Sequence, residues 1–106
     1  MHILAFVTAG NTKEAHRIAH ALVSEKLAAC VNIVGPVASI FWWQGKIDRA
    51  SEVLLVIKSK KRLLPKIIKV VKAHHSYVVP EIIALTIVGG EKQYLKWIDD
   101  SIRKSP

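Results

Sequence analysis

Apolar positions recur along this chain in two periods, and the alternation between them predicts the order of elements. Ile3 to Thr8 is a short apolar run with β-branched and aromatic members, which reads as a strand. Ala9-Gly10-Asn11 turns the chain, and Asn11 with Glu14 three residues later makes a capping pair for a helix. Ala15, Ile18, Ala19, Leu22 and Val23 then follow helical spacing and define a buried stripe. Ala28 to Val34 is strand, Gly35-Pro36 interrupts it, and Val37 to Trp43 is strand again. Gln44-Gly45-Lys46 predicts a hairpin turn, followed by a polar stretch around Asp48-Arg49 and a third strand from Glu52 to Lys58. Leu64, Ile67, Ile68 and Val71 give a second helical stripe, with Pro65 tolerated in the first turn. Glu81 to Val88 is the fourth strand, ended by Gly89-Gly90, and Tyr94, Leu95, Ile98 and Ile102 mark a final amphipathic helix.

The order β-α-β-β-α-β plus a trailing helix predicts an α+β fold of the ferredoxin-like, split βαβ kind. Two helices should cover one face of an antiparallel sheet. No linker, repeat or low-complexity segment divides the chain, so residues 1–106 are expected to form a single domain. One element is too long for a monomer. The fifteen residues from Ala29 to Trp43 would reach about 50 Å fully extended, whereas a globule of this size is only about 33 Å across. The strand must bend, and Gly35-Pro36 is where a missing N–H does least harm. Beyond the bend, Ile40, Phe41, Trp42 and Trp43 are apolar on both alternating faces. Such a ribbon is expected to be covered, and a second copy of the chain is the simplest cover. Trp42 and Trp43 are thus candidate interface residues.

Composition narrows the class. Hydrophobic residues make up 51% of the chain, which excludes a disordered protein. The apolar runs are too short to cross a bilayer, no signal-peptide pattern opens the chain, and the single cysteine suits a reducing compartment. A cytoplasmic protein without membrane contact is expected. Cys30, alternating with apolar neighbours, reads as a buried thiol. Net charge is +8, and no acid occurs between Glu52 and Glu81, an interval holding Lys58, Lys60, Lys61, Arg62, Lys66, Lys69 and Lys72. That stripe reads as a solvated face. The same order of elements occurs in RNA-recognition domains, but those stack bases on third-strand aromatics, and Glu52 to Lys58 has none. Nucleic acid is therefore not an expected partner. Asn, Gln, Met and Cys are scarce and Lys plentiful, which leans toward a heat-adapted source.

No phosphate loop, nucleophile motif or complete acid–base set is present, so an enzyme is not expected. The chemistry concentrates in His74-His75-Ser76-Tyr77-Val78-Val79-Pro80-Glu81, where a helical pattern breaks ahead of a proline. Neighbouring histidines on a regular helix diverge by about 100°, yet at a frayed end the backbone can turn both toward one cleft. They can equally serve the negative end of the helix dipole. His16 and His20 are spaced to share a metal, but no third ligand lies nearby in sequence, and they read as exposed surface residues.

Five blocks, EKLAACVNI, WWQGKI, EVLLVIKS, HHSYVVPEIIAL and YLKWI, fall in the order and spacing of the CutA divalent-cation-tolerance proteins, and the chain resembles that family over nearly its whole length. The resemblance implies a ferredoxin-like subunit in a compact homotrimer, with long hairpins packed between subunits and clefts like those of PII-type signalling trimers. It implies a non-enzymatic role in metal tolerance, with copper(II) or another divalent metal as ligand and no organic cofactor. In some bacterial members the pair matching His74 and His75 is a copper site joined by a first-strand cysteine; here Val7 stands at that cysteine's position. Ser76 and Val78 also depart from the family pattern, whereas Tyr77, Pro80 and Glu81 match it. Tyr77 and Glu81, with Cys30, are expected at the cleft or interface. The alternative is a PII-like signalling or scaffold trimer whose clefts bind a small anion or a protein through Lys58 and neighbouring bases.

Overall fold

The computed structural model describes residues 1–104. Strand β1 (His2–Ala9) leads into helix α1 (Thr12–Ser24), then β2 (Cys30–Trp43), β3 (Lys46–Lys60), a short 3-10 turn (Lys61–Leu63), α2 (Leu64–His74), β4 (Ile82–Thr86) and α3 (Lys92–Ser101). The sheet order is β2-β3-β1-β4, with every pair antiparallel, which is the ferredoxin-like arrangement that the pattern predicts.

Local chemistry explains the turns. Asn11 caps α1 by accepting the Glu14 N–H at 2.8 Å, one of the orphan donors of a helix start. Gln44 and Gly45 both take positive φ (49° and 77°), as a two-residue turn matched to strand twist requires. Pro65 sits in the first turn of α2, where its missing N–H is not needed.

Side chains on the helix-facing side of the sheet form the core. Ala5, Val7, Leu55 and Ile57 pack against Ile18 and Leu22 of α1 and Ile67 and Val71 of α2, all buried. Glu14 is buried on the same helix, and Ser59 closes the other end by donating to the Leu27 carbonyl at 2.6 Å. Helix α3 is fixed at the start of β1 by Asp99, which meets His2 at 2.9 Å and Lys60 at 3.1 Å. Burial works against the Asp99 carboxylate, but Lys60 and His2 outweigh it and hold it below the ordinary carboxylate range.

The opposite side of the sheet meets only α3, at the end marked by His2 and Lys60, and is otherwise bare of helices. Register places Phe6 between Val56 and Ile83, and Leu4 between Lys58 and Leu85. Val34, Ile83 and Leu85 are exposed. Lys58 lies in the middle of this apolar face, donating to the Asn32 amide oxygen, with Cys30 Sγ 3.9 Å away.

Several expectations require correction. The third strand begins at Lys46, not Glu52: Asp48 and Arg49 pair with Phe41 and Ile40, so the polar stretch is the second limb of a projecting ribbon. The bend falls where expected, as a register shift between Val34 and Val37, and the molecule stretches to 44 Å along its longest axis. The fourth strand stops at Thr86 rather than Val88. Val23 is exposed, because it sits at the edge of the α1 stripe. Tyr94 is exposed as well and packs on Trp97 with ring centroids 5.4 Å apart. Cys30 is half-buried rather than buried, since it projects onto the bare sheet face. Ile40, Trp42, Trp43 and Ile47 are all more than half exposed, leaving the ribbon uncovered within one chain.

Candidate functional site

The break after α2 is held by three contacts, two to the start of the chain and one to β3. His75 leaves the helix in an extended conformation (φ −91°, ψ 140°). Its Nε2 lies 2.7 Å from the Thr8 carbonyl oxygen, and its Nδ1 is 3.0 Å from the Tyr77 backbone nitrogen. A carbonyl only accepts and a backbone N–H only donates, so His75 is a neutral imidazole with its proton on Nε2. Glu14 supplies the second contact. Its Oε1 accepts the Ser76 N–H at 2.5 Å and its Oε2 accepts the Gly10 N–H at 3.0 Å. Burial alone would raise the Glu14 carboxyl, but the donors of Gly10 and Ser76 hold it below its ordinary value. Tyr77 makes the third contact: its hydroxyl donates to Glu52 Oε2 at 3.0 Å, and its ring lies 4.7 Å from the His75 ring. Burial, then the Glu52 and Glu14 carboxylates, push the Tyr77 phenol above its usual range.

Beside this cluster lies an open cleft of ≈ 540 Å³ between the β1–α1 turn and the bend of β2. Asn11, His16, Ile33, Pro36, Glu52 and Val53 are among the residues that line it. Glu52 sits opposite Val37, where the register shift bends β2 away; irregularities of this kind commonly re-aim side chains beside sites.

The structure brings together only part of the predicted set. His75 and Tyr77 share the cluster. His74 does not join them: its ring makes no hydrogen bond among the described residues, and its carbonyl accepts from Arg17 at 3.0 Å. Glu81 is exposed just ahead of β4, and Trp42 and Trp43 lie far out on the ribbon. Cys30 belongs to the bare sheet face, as does Lys58, which does not line the cleft. His16 lines the cleft while His20 does not. Val7 is fully buried under the helices. Among the described residues, no group of three or more His, Cys, Asp or Glu side chains is arranged to hold a metal.

Sequence reasoning missed the two buried carboxylates as site residues. Glu14 was legible, since with Ile18 and Leu22 it falls at four-residue intervals on the buried stripe, where an acid demands partners. Glu52 carries no such signal.

Comparison with known proteins agrees with this architecture. The family model described as CutA1 divalent ion tolerance protein matches residues 3–101. A chloroplastic protein CutA 1 from Oryza sativa is 48% identical over 97% of this chain, and this chain spans 58% of that protein's length. The divalent-cation tolerance protein CutA of Archaeoglobus fulgidus is 44% identical over 96% of this chain and 99% of its own. The solved structure of the divalent cation tolerance protein from Thermus thermophilus superposes with a TM-score of 0.95 at 43% identity, covering 97% of this chain and all of the other.

Proposed function

We propose that this chain, which belongs to the CutA1 divalent ion tolerance family, is a non-enzymatic metal-tolerance protein that binds a divalent metal through His75. The observation that carries the reading is the ring's hydrogen bonding. Ligating histidines usually donate their second ring nitrogen to a carbonyl or carboxylate, which fixes the tautomer and orients the ring. His75 makes that bond from Nε2 to Thr8, which supports Nδ1 as the ligating atom in this reading. The Tyr77 N–H now caps Nδ1 and would have to swing aside, a local move in a segment of successive bends. Copper(II) or another borderline divalent ion suits an imidazole donor. With Val7 in place of a thiolate, affinity is modest and Cu(I) is not preferred.

The protein acts as a cytoplasmic homotrimer in this reading. Support comes from the bare apolar sheet face and the exposed ribbon, surfaces that a soluble monomer rarely presents. No helix among the described residues is long and apolar enough to cross a membrane. Calorimetric titration with copper and zinc tests the metal reading. His75→Ala should abolish most of the binding and His16→Ala should leave it nearly intact. Binding should weaken in acid, because the metal needs the free lone pair of a neutral imidazole. Equal isotherms for wild type and His75→Ala would remove the site.

A further inference from the structure

The cleft at the bend of β2 has an electrostatic character opposite to that of the chain. The protein carries 16 Lys and Arg against 8 Asp and Glu, yet among the described residues of one chain no Lys or Arg lines this cleft, and the acidic group that lines it is Glu52. Glu52 is more than nine-tenths buried and takes part in no ion pair among the described residues. One carboxylate oxygen, Oε2, accepts from Tyr77, and no described residue donates to the other, Oε1. No fully buried side-chain oxygen in the described residues lacks a partner, so Oε1 opens to the solvent of the cleft. A carboxylate that is largely desolvated, fixed by a phenol and left with one free oxygen is a preorganised acceptor for a positively charged donor. Glu14 cannot fill that role, because both its oxygens are already taken by backbone N–H groups.

Size and lining define the rest of the ligand. A cleft of ≈ 540 Å³ far exceeds the space a lone metal ion occupies and falls within the range of small-molecule sites. Ile33, Pro36 and Val53 offer an apolar wall beside Glu52. We infer that this cleft binds a small organic cation, a primary ammonium on a short apolar body, with the ammonium on Glu52 Oε1 and the body against Ile33, Pro36 and Val53. This site is separate from the metal position on His75 Nδ1 and does not depend on it.

The test is an amide-shift titration of the full, chelator-treated chain by NMR at neutral pH, using n-butylammonium, n-butanol and butyrate as probes. Butylammonium should shift the amides of Asn11 and of Ser51 to Val53 saturably, at least about tenfold more tightly than butanol, a difference of about 1.4 kcal/mol. Butyrate should leave them unmoved. Glu52→Gln keeps an oxygen for the Tyr77 hydroxyl and removes only the charge, so it should bring amine and alcohol to near-equal affinity. Equal binding of amine and alcohol by wild type overturns the proposal, as does an amine preference that survives Glu52→Gln. Preferential binding of butyrate has the same consequence. Broadening of the Ser51 to Val53 amides by manganese(II), at concentrations where butylammonium has no effect, overturns it in favour of a metal in this cleft. If Glu52→Gln fails to fold, the wild-type ranking of the three probes decides alone. The His75 reading is judged separately, by calorimetry of His75→Ala, so failure of one leaves the other standing.

Discussion

Glu14→Gln should be among the most destabilising conservative substitutions in this protein, and the reason is geometric. The carboxylate joins the β1–α1 turn to the segment after α2, taking the Gly10 N–H on one oxygen and the Ser76 N–H on the other. Glutamine keeps one acceptor oxygen, so one of the two N–H groups loses its partner and faces an NH₂ instead. A hydrogen bond to a charged group contributes about 1.5–3 kcal/mol, and the remaining bond also loses its charge assistance. Gly10 is half-buried and Ser76 exposed, so water recovers part of the loss, leaving a net cost of about 2–3 kcal/mol. The pH dependence supplies an independent check. The folded Glu14 carboxyl titrates below its ordinary value of 4.5. Its contribution is therefore fully present above that value and lost as pH falls through the depressed folded value. Urea unfolding of wild type and Glu14→Gln should be compared at one fixed protein concentration, because dissociation and unfolding are linked in an oligomer. Other depressed carboxylates, such as Asp99, cancel in the difference. A gap at pH 7 below about 0.5 kcal/mol, within the scatter of ordinary surface changes, would refute the reasoning. So would a gap that stays constant into acid.

Further outcomes concern assembly and the cleft. Replacing Trp42 and Trp43 together by Ser should yield smaller or aggregated species in sedimentation, since large aromatics anchor interfaces; wild-type monomers at micromolar concentration would contradict the proposed trimer. The thermal midpoint should lie above the ordinary mesophile range of about 45–65 °C and rise with protein concentration, and a reversible, concentration-independent melt within that range would count against it. Tyr77→Phe removes the donor to Glu52 Oε2 and should cost about 1.5–3 kcal/mol, checked by the same urea assay; a cost below about 0.5 kcal/mol would mean that water replaces the phenol.

Much of this architecture was readable from residue pattern alone, because burial on one face imposes its period on the sequence. The stripes of α1 and α2 and the alternation in β1 each face a core, so their apolar residues recur on schedule. The ribbon defeated the pattern for the same reason. From Lys46 to Arg49 the strand has no inward side, so nothing forces Lys46, Asp48 and Arg49 to alternate with apolar residues, and only pairing with β2 reveals the strand. The site was half legible. Histidines ahead of a proline attract notice by type, whereas Glu52 gains its character from the bend opposite it, a relation between residues fifteen or more apart in sequence. The ring hydrogen bond from His75 to Thr8 likewise joins residues far apart in sequence.

The projecting ribbon also constrains symmetry. It leaves the sheet at the register shift between Val34 and Val37 and carries its tryptophans well beyond the rest of the fold. An arm that grips a neighbour uses a different surface from the one that its own subunit offers to the next arm. Such a contact is heterologous, and heterologous contacts have two outcomes: a closed ring when the rotation between copies divides a full turn, or an open filament when it does not. The exit angle of the ribbon is thus the variable that separates a closed ring, such as the proposed trimer, from a fibre. Substitutions around Gly35 and Val53, which meet at the bend, would act on the direction of the ribbon rather than on its tip.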